Sequence, residues 1–148
     1  MAILSETSWR RHSNPWSGWS RVFVYPWIFV SIWFHNLAAL AIVVLFIAVN
    51  PFIFPEPKAT SSWMTRGVLG ERLWSAKLRI DASQLLNVFN GIFFVPALYF
   101  TYVNDFWPAL YTATLPFIFK LWFIDRMAWW YERDAFTVAA RAGPAELP

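Results

Sequence analysis

Two long stretches of the chain carry no Asp, Glu, Lys or Arg. The first runs from Val22 to Pro55, 34 residues, and the second from Ala82 to Asn104, 23 residues; beyond Asp105 a further uncharged run reaches Phe119. Charge-free runs of about 18 or more residues read as membrane-spanning helices. As one helix the first run would reach roughly 50 Å, against a hydrocarbon core of about 30 Å. Its middle holds the polar pair His35-Asn36, followed by the helix-favouring Leu37-Ala38-Ala39-Leu40. Asn is a good N-cap because its side-chain oxygen accepts from an orphan backbone N–H. The pattern therefore predicts helix 1 over 15–34, opened by Asn14-Pro15, and helix 2 over 37–50, ended by Pro51.

The second half repeats the plan. Asp81 or Ser83 starts helix 3 over 82–103, Asn104-Asp105 makes a tight polar turn, and Phe106-Trp107-Pro108 opens helix 4 over 106–131. Between the hairpins lies an interfacial segment, 51–81. Its stretch Pro51-Phe52-Ile53-Phe54-Pro55-Glu56-Pro57 is expected to be extended, and Ser61 or Ser62 caps a short amphipathic helix whose Leu69, Leu73 and Trp74 share an apolar face. Residues 132–148 read as a cytoplasmic tail. The fold class expected is an all-α membrane protein, with four transmembrane helices as two hairpins in a single membrane domain.

Composition agrees with lipid as the solvent. Of 148 residues 58% are hydrophobic, 21% aromatic and only 14% charged, where soluble domains run near ~25% charged. A soluble core of this size could not hide so many rings. With no Cys, disulfides, thiolate metal sites and cysteine nucleophiles are excluded. Charge then sets orientation. With four crossings, all 12 basic residues fall on the side of the termini and the central segment, or on adjoining helix ends, and the two short turns hold only Asp105. The positive-inside rule places both termini in the cytoplasm of a multi-pass protein of the inner (cytoplasmic) membrane. The first 21 residues lack the apolar core of a cleavable signal peptide, so helix 1 is expected to direct insertion. Eight of the eleven Trp, among them Trp9, Trp63, Trp74 and Trp129, fall near the cytoplasmic interface, where indoles favour the headgroup level.

Few residues carry candidate chemistry. His35 could ligate the metal of a haem or bacteriochlorophyll, or simply hydrogen-bond in a turn at the far interface; its turn position favours the second. His12, in Arg10-Arg11-His12-Ser13-Asn14, could be a general base, bind headgroups, or cap a helix. Asp125 and Arg126 are adjacent near the cytoplasmic end of helix 4, where charges are costly and usually paired. Asp125 is expected to meet Arg66, Arg72 or Arg21, Arg126 to meet Glu71, and Lys120 to snorkel to the same interface. On helix 3, Ser83, Asn87, Asn90 and Gly91 share one face and read as a packing stripe. No phosphate loop, zinc motif or nucleophile triad is recognisable.

Several motifs stand out together: Arg11-His12-Ser13-Asn14-Pro15-Trp16, Asn50-Pro51 with Phe54-Pro55-Glu56-Pro57, Thr65-Arg66 with Val68-Leu69-Gly70-Glu71, Phe106-Trp107-Pro108, and Trp122-Phe123-Ile124-Asp125-Arg126-Met127. As a set, over residues 9–133, they resemble a family of small prokaryotic integral membrane proteins classed as a domain of unknown function. The resemblance supports the architecture and implies no activity, cofactor or catalytic residue. It also implies a variable, basic-containing turn after helix 1 in relatives, which would make His35 particular to this chain.

The expected function is therefore non-catalytic, an accessory or scaffold subunit whose partners are membrane lipids and other membrane proteins of a larger complex, without nucleic acid. No cofactor is expected on this reading. Two alternatives stay open. One is a cytoplasm-facing small-ligand or headgroup site, with or without catalysis, built from His12, Glu71, Asp125 and Arg126. The other is pigment or haem ligation by His35 in a photosynthetic or redox complex.

Overall fold

A computed structural model describes residues 6–76 and 81–142. Among them are six helices and no strand: α1 (Glu6–His12), α2 (Pro15–Trp33), α3 (Leu37–Ile53), α4 (Trp63–Ala76), α5 (Ala82–Tyr102) and α6 (Phe106–Ala142). One of them, α5, is both long and apolar enough to cross a membrane, and α3 is a shorter apolar helix. Residues 77–80 of the expected interfacial segment and 143–148 of the expected tail lie outside the described residues.

Two hairpins carry the fold, α2–α3 and α5–α6, and both turn in the same way. After α2, His35 takes a left-handed backbone (φ 52°), its N–H donates to Ile32 O at 2.9 Å, and Asn36 N–H reaches Ser31 O at 2.8 Å. After α5, Asn104 has φ 57°, donates to Thr101 O at 3.2 Å, and Asp105 N–H reaches Phe100 O at 3.0 Å. Each is a Schellman turn, which satisfies the last carbonyls of the helix it ends. Asn36 Oδ1 then caps α3 by accepting from Ala39 N–H at 3.0 Å. The Asn104 amide donates to Trp33 O at 2.8 Å, tying the two turns together.

Three expectations about the elements need correction. Helix 2 does not stop at Pro51, because α3 runs on to Ile53 and takes Pro51 inside it. The chain beyond Pro51 is held from outside. Arg11 donates to the carbonyls of Phe52 (2.5 Å) and Phe54 (3.1 Å), and the Asn14 amide donates to Pro55 O at 2.9 Å. Prolines persist in membrane-type helices where neighbours satisfy the backbone groups they free, and Pro26, Pro96 and Pro116 lie inside helices as well. Helix 4 does not stop at Tyr131 either. Over 37 residues α6 reaches roughly 55 Å, and the turns beyond Tyr131 are supported by Arg133 over the rings of Trp129 and Trp130.

The third correction concerns α4. Its most buried positions are Met64, Thr65, Gly67, Val68 and Gly70, not Leu69, Leu73 and Trp74. A β-carbon on Gly67 would sit 2.5 Å from Ile124 Cγ2, and one on Gly70 would overlap the Met127 carbonyl. The two glycines let α4 lie directly on the backbone of α6. Gly91, expected to allow close approach on helix 3, instead faces open space. Core side chains collect where α4 and α6 meet, around Met64, Phe123 and Met127, each at most 1% exposed.

Candidate functional site

All six helices send a residue to one pocket of about 380 Å³: His12 from α1, Arg21 from α2, Ile47 from α3, Glu71 from α4, Asn90 from α5 and Lys120 from α6. Apolar walls come from Val22, Val68, Phe94 and Ile124, among others. Local geometry sets each polar group. Asn14 Oδ1 accepts from Trp16 N–H at 2.9 Å to start α2, leaving His12 just before the cap. Arg21 Nε donates back to Ser17 O at 3.0 Å, which turns its guanidinium toward His12, with Nη1 3.3 Å from Nε2. The Asn90 amide nitrogen donates to Pro116 O at 2.7 Å, in place of being free for a ligand.

Electrostatics in the pocket are lopsided toward donors. A guanidinium has no acceptor, so the His12 Nε2 facing it accepts and the ring proton sits on Nδ1. That Nδ1 is buried without a partner. His12 is 8% exposed, and burial first, then the positive charges of Arg21 and Lys120, push its pKa down to about 4. It is a neutral imidazole at physiological pH. Lys120 Nζ lies 3.7 Å from Glu71 Oε1, an ion pair beyond hydrogen-bond length, and 4.9 Å over the Phe123 ring.

One helical turn before Arg21 the first hairpin is locked by a polar clamp. Asn50, fully buried, accepts from Ser17 Oγ at 2.6 Å and donates to Ser20 Oγ at 2.8 Å.

The site residues read from the sequence divide. His12 and Glu71 line the pocket together, whereas Asp125 and Arg126 are not among its walls. Asp125 accepts from Trp63 Nε1 at 2.9 Å, and Arg126 lies over the Trp129 ring at 4.9 Å. Arg66 pairs with Glu132 at 2.9 Å, so the expected Arg66–Asp125 and Glu71–Arg126 pairings give way to Arg66–Glu132 and Glu71–Lys120. Arg72 belongs to the same helix as Glu71, and its carbonyl accepts from Ser75 Oγ at 3.0 Å. His35 sits exposed at the opposite turn, edge-on to Tyr102 with ring centroids 5.0 Å apart. Among the described residues no three His, Cys, Asp or Glu gather as a metal-binding group. Arg21 and Lys120, expected from the sequence to meet Asp125 and to snorkel respectively, instead supply the pocket's positive charge. Their signal in the sequence is a cation set several residues inside a long apolar stretch of helix, six residues after Pro15 for Arg21 and after fourteen uncharged residues for Lys120.

A family model matches residues 2–146, and the chain belongs to that family, a family of unknown function (DUF6653). No curated protein and no solved structure matches it.

Proposed function

We propose that the chain is a four-span protein of the cytoplasmic membrane, with both termini in the cytoplasm, and that it works without catalysis as an accessory subunit packed against lipid and other membrane proteins. The observation that carries this reading is α3. Ile42, Val44 and Leu45 are 69%, 54% and 63% exposed, and successive helical residues are 100° apart, so the helix offers apolar side chains around most of its circumference. Water would not tolerate that surface, whereas lipid or a partner helix covers it at no cost. In α5 only 11% of the most apolar window is buried within the protein, unlike the core helix of a soluble domain. The remaining spans, α2 and the first half of α6, carry one cation each, Arg21 and Lys120, and owe the rest of their lower hydropathy largely to Trp, Tyr and Pro. Isolation in mild detergent is expected to bring a stoichiometric membrane partner; recovery of the chain alone, as a homogeneous monomer across several detergents, would remove the accessory role.

A second reading is favoured by the six-helix pocket. Convergence of His12, Arg21, Glu71 and Lys120 supports a cytoplasm-facing site for a small anionic ligand or headgroup.

A further inference from the structure

The polar pocket is not closed at its far end. Tyr25 and Phe117, which line it, also line a second hollow of about 580 Å³ between α2 and α6, walled by Phe29 and Trp33 on one side and Ala109 and Ala113 on the other. The hydroxyls in this groove are already engaged. Thr101 Oγ1 donates to Ala97 O at 2.7 Å, Thr114 Oγ1 to Leu110 O at 2.7 Å, and Tyr25 OH to Ala113 O at 3.1 Å. The groove therefore offers a ligand apolar surface and no free hydroxyl. The adjoining pocket offers the reverse. Its charged members are Arg21, Lys120 and Glu71, a formal +1 with His12 neutral, and the buried His12 Nδ1–H has no acceptor.

We propose that the two hollows together hold one amphiphile, with a singly charged anionic head between Arg21 and Lys120, an oxygen accepting from His12 Nδ1–H, and an acyl chain along the α2–α6 groove. The proposal rests on reading the pocket as a ligand site. A phosphodiester or a carboxylate head fits this charge, whereas a zwitterion brings an ammonium against two cations, and a bare anion leaves the groove unfilled. Depth agrees. From Trp33 back to Arg21 is about 18 Å, and from Phe106 to Lys120 about 21 Å. The head thus sits roughly 10 Å inside the cytoplasmic edge of a ~30 Å core, with its chain running toward the outer turns as in an inner-leaflet lipid.

The full chain, purified in mild detergent and stripped of lipid, is titrated with phosphatidylglycerol, oleate, phosphatidylcholine and inorganic phosphate, with bound mass read by native mass spectrometry. One equivalent of phosphatidylglycerol or oleate is expected to bind at least about tenfold tighter than phosphatidylcholine, and their ranking identifies the head. Removing one charge-assisted contact by Arg21→Gln or Lys120→Gln should weaken the anionic probes about tenfold and leave phosphatidylcholine unchanged. Lys120→Arg should retain binding, which separates lost charge from a misfolded chain. Ala113→Phe, filling the groove away from the charges, should weaken both long-chain anions. Equal affinity for phosphatidylcholine overturns the proposal. Phosphate binding as tightly as phosphatidylglycerol also overturns it but leaves the ligand-site reading standing. Binding of none of the four removes both.

Discussion

Gly70 is the position where a single added carbon has nowhere to go, because the atom it would overlap is backbone rather than the end of a side chain. Overpacking of this kind costs about 1–3 kcal/mol where neighbours can shift, so Gly70→Ala is expected to reach the top of that range. Gly67→Ala, meeting the Ile124 side chain, should cost less, and Gly91→Ala, in open helix surface, should be neutral or stabilising by about 0.5–1 kcal/mol. Unfolding in mixed detergent micelles ranks the three; a Gly91→Ala loss equal to that of Gly70→Ala would contradict the α4–α6 contact. His12 gives a prediction with a pH axis. Its folded pKa of about 4 lies below the ordinary 6.5, so between these values the unfolded chain binds more protons than the folded one. The stabilisation is complete above pH 6.5 and fades as the pH falls toward 4, by on the order of 3 kcal/mol. The melting temperature should drop across that window, and His12→Gln should flatten the drop. Parallel slopes for the two proteins would show that His12 is not the titrating group.

The helices declared themselves through punctuation more than through hydropathy. Asn14-Pro15, Asn36 and Asp81 are caps where cap chemistry placed them: Asp81 Oδ1 accepts from Ser83 N–H at 2.9 Å. Both hairpin turns lie on the polar pairs His35-Asn36 and Asn104-Asp105. What stayed hidden has one cause. The short helix α1, the continuation of α3 past Pro51 and the side of α4 that is buried all depend on partners forty or more residues away, which spacing along one segment does not reveal. Asn50 shows how strongly such a partner acts. Replacing it by Leu removes the clamp on Ser17 and Ser20 and leaves both hydroxyls to find new acceptors. The cost expected is about 0.5–2 kcal/mol, the range for interhelical hydrogen bonds in lipid, while Val49→Leu on the exposed neighbour should be silent. The check is the detergent-unfolding midpoint of each variant, and equal midpoints would mean that the clamp contributes nothing.

For the molecule as a whole, orientation is the most direct test, and the absence of Cys gives a ready background for it. Asp105→Cys, in the turn between α5 and α6, should react with a membrane-impermeant maleimide on intact cells. Ala59→Cys, in the exposed loop before α4, should react only after permeabilisation, and labelling of both from outside would overturn the four-span layout. The pocket is half legible in the sequence: His12 and Glu71 stand out for their chemistry, but six helices bring its walls together, and no local pattern encodes which cation faces which carboxylate. The hydrogen bonds of the first hairpin have a bearing on how the chain is made. Arg11 reaches Phe52 and Phe54, Asn14 reaches Pro55, Ser17 and Ser20 close on Asn50, and Arg21 returns to Ser17. All of these partners lie within the first 55 residues. A nascent chain therefore has the means to satisfy these polar groups in the bilayer while its second half is still on the ribosome. The bonds of Asn104 to Trp33 and Tyr25 to Ala113 join a later hairpin to one already closed.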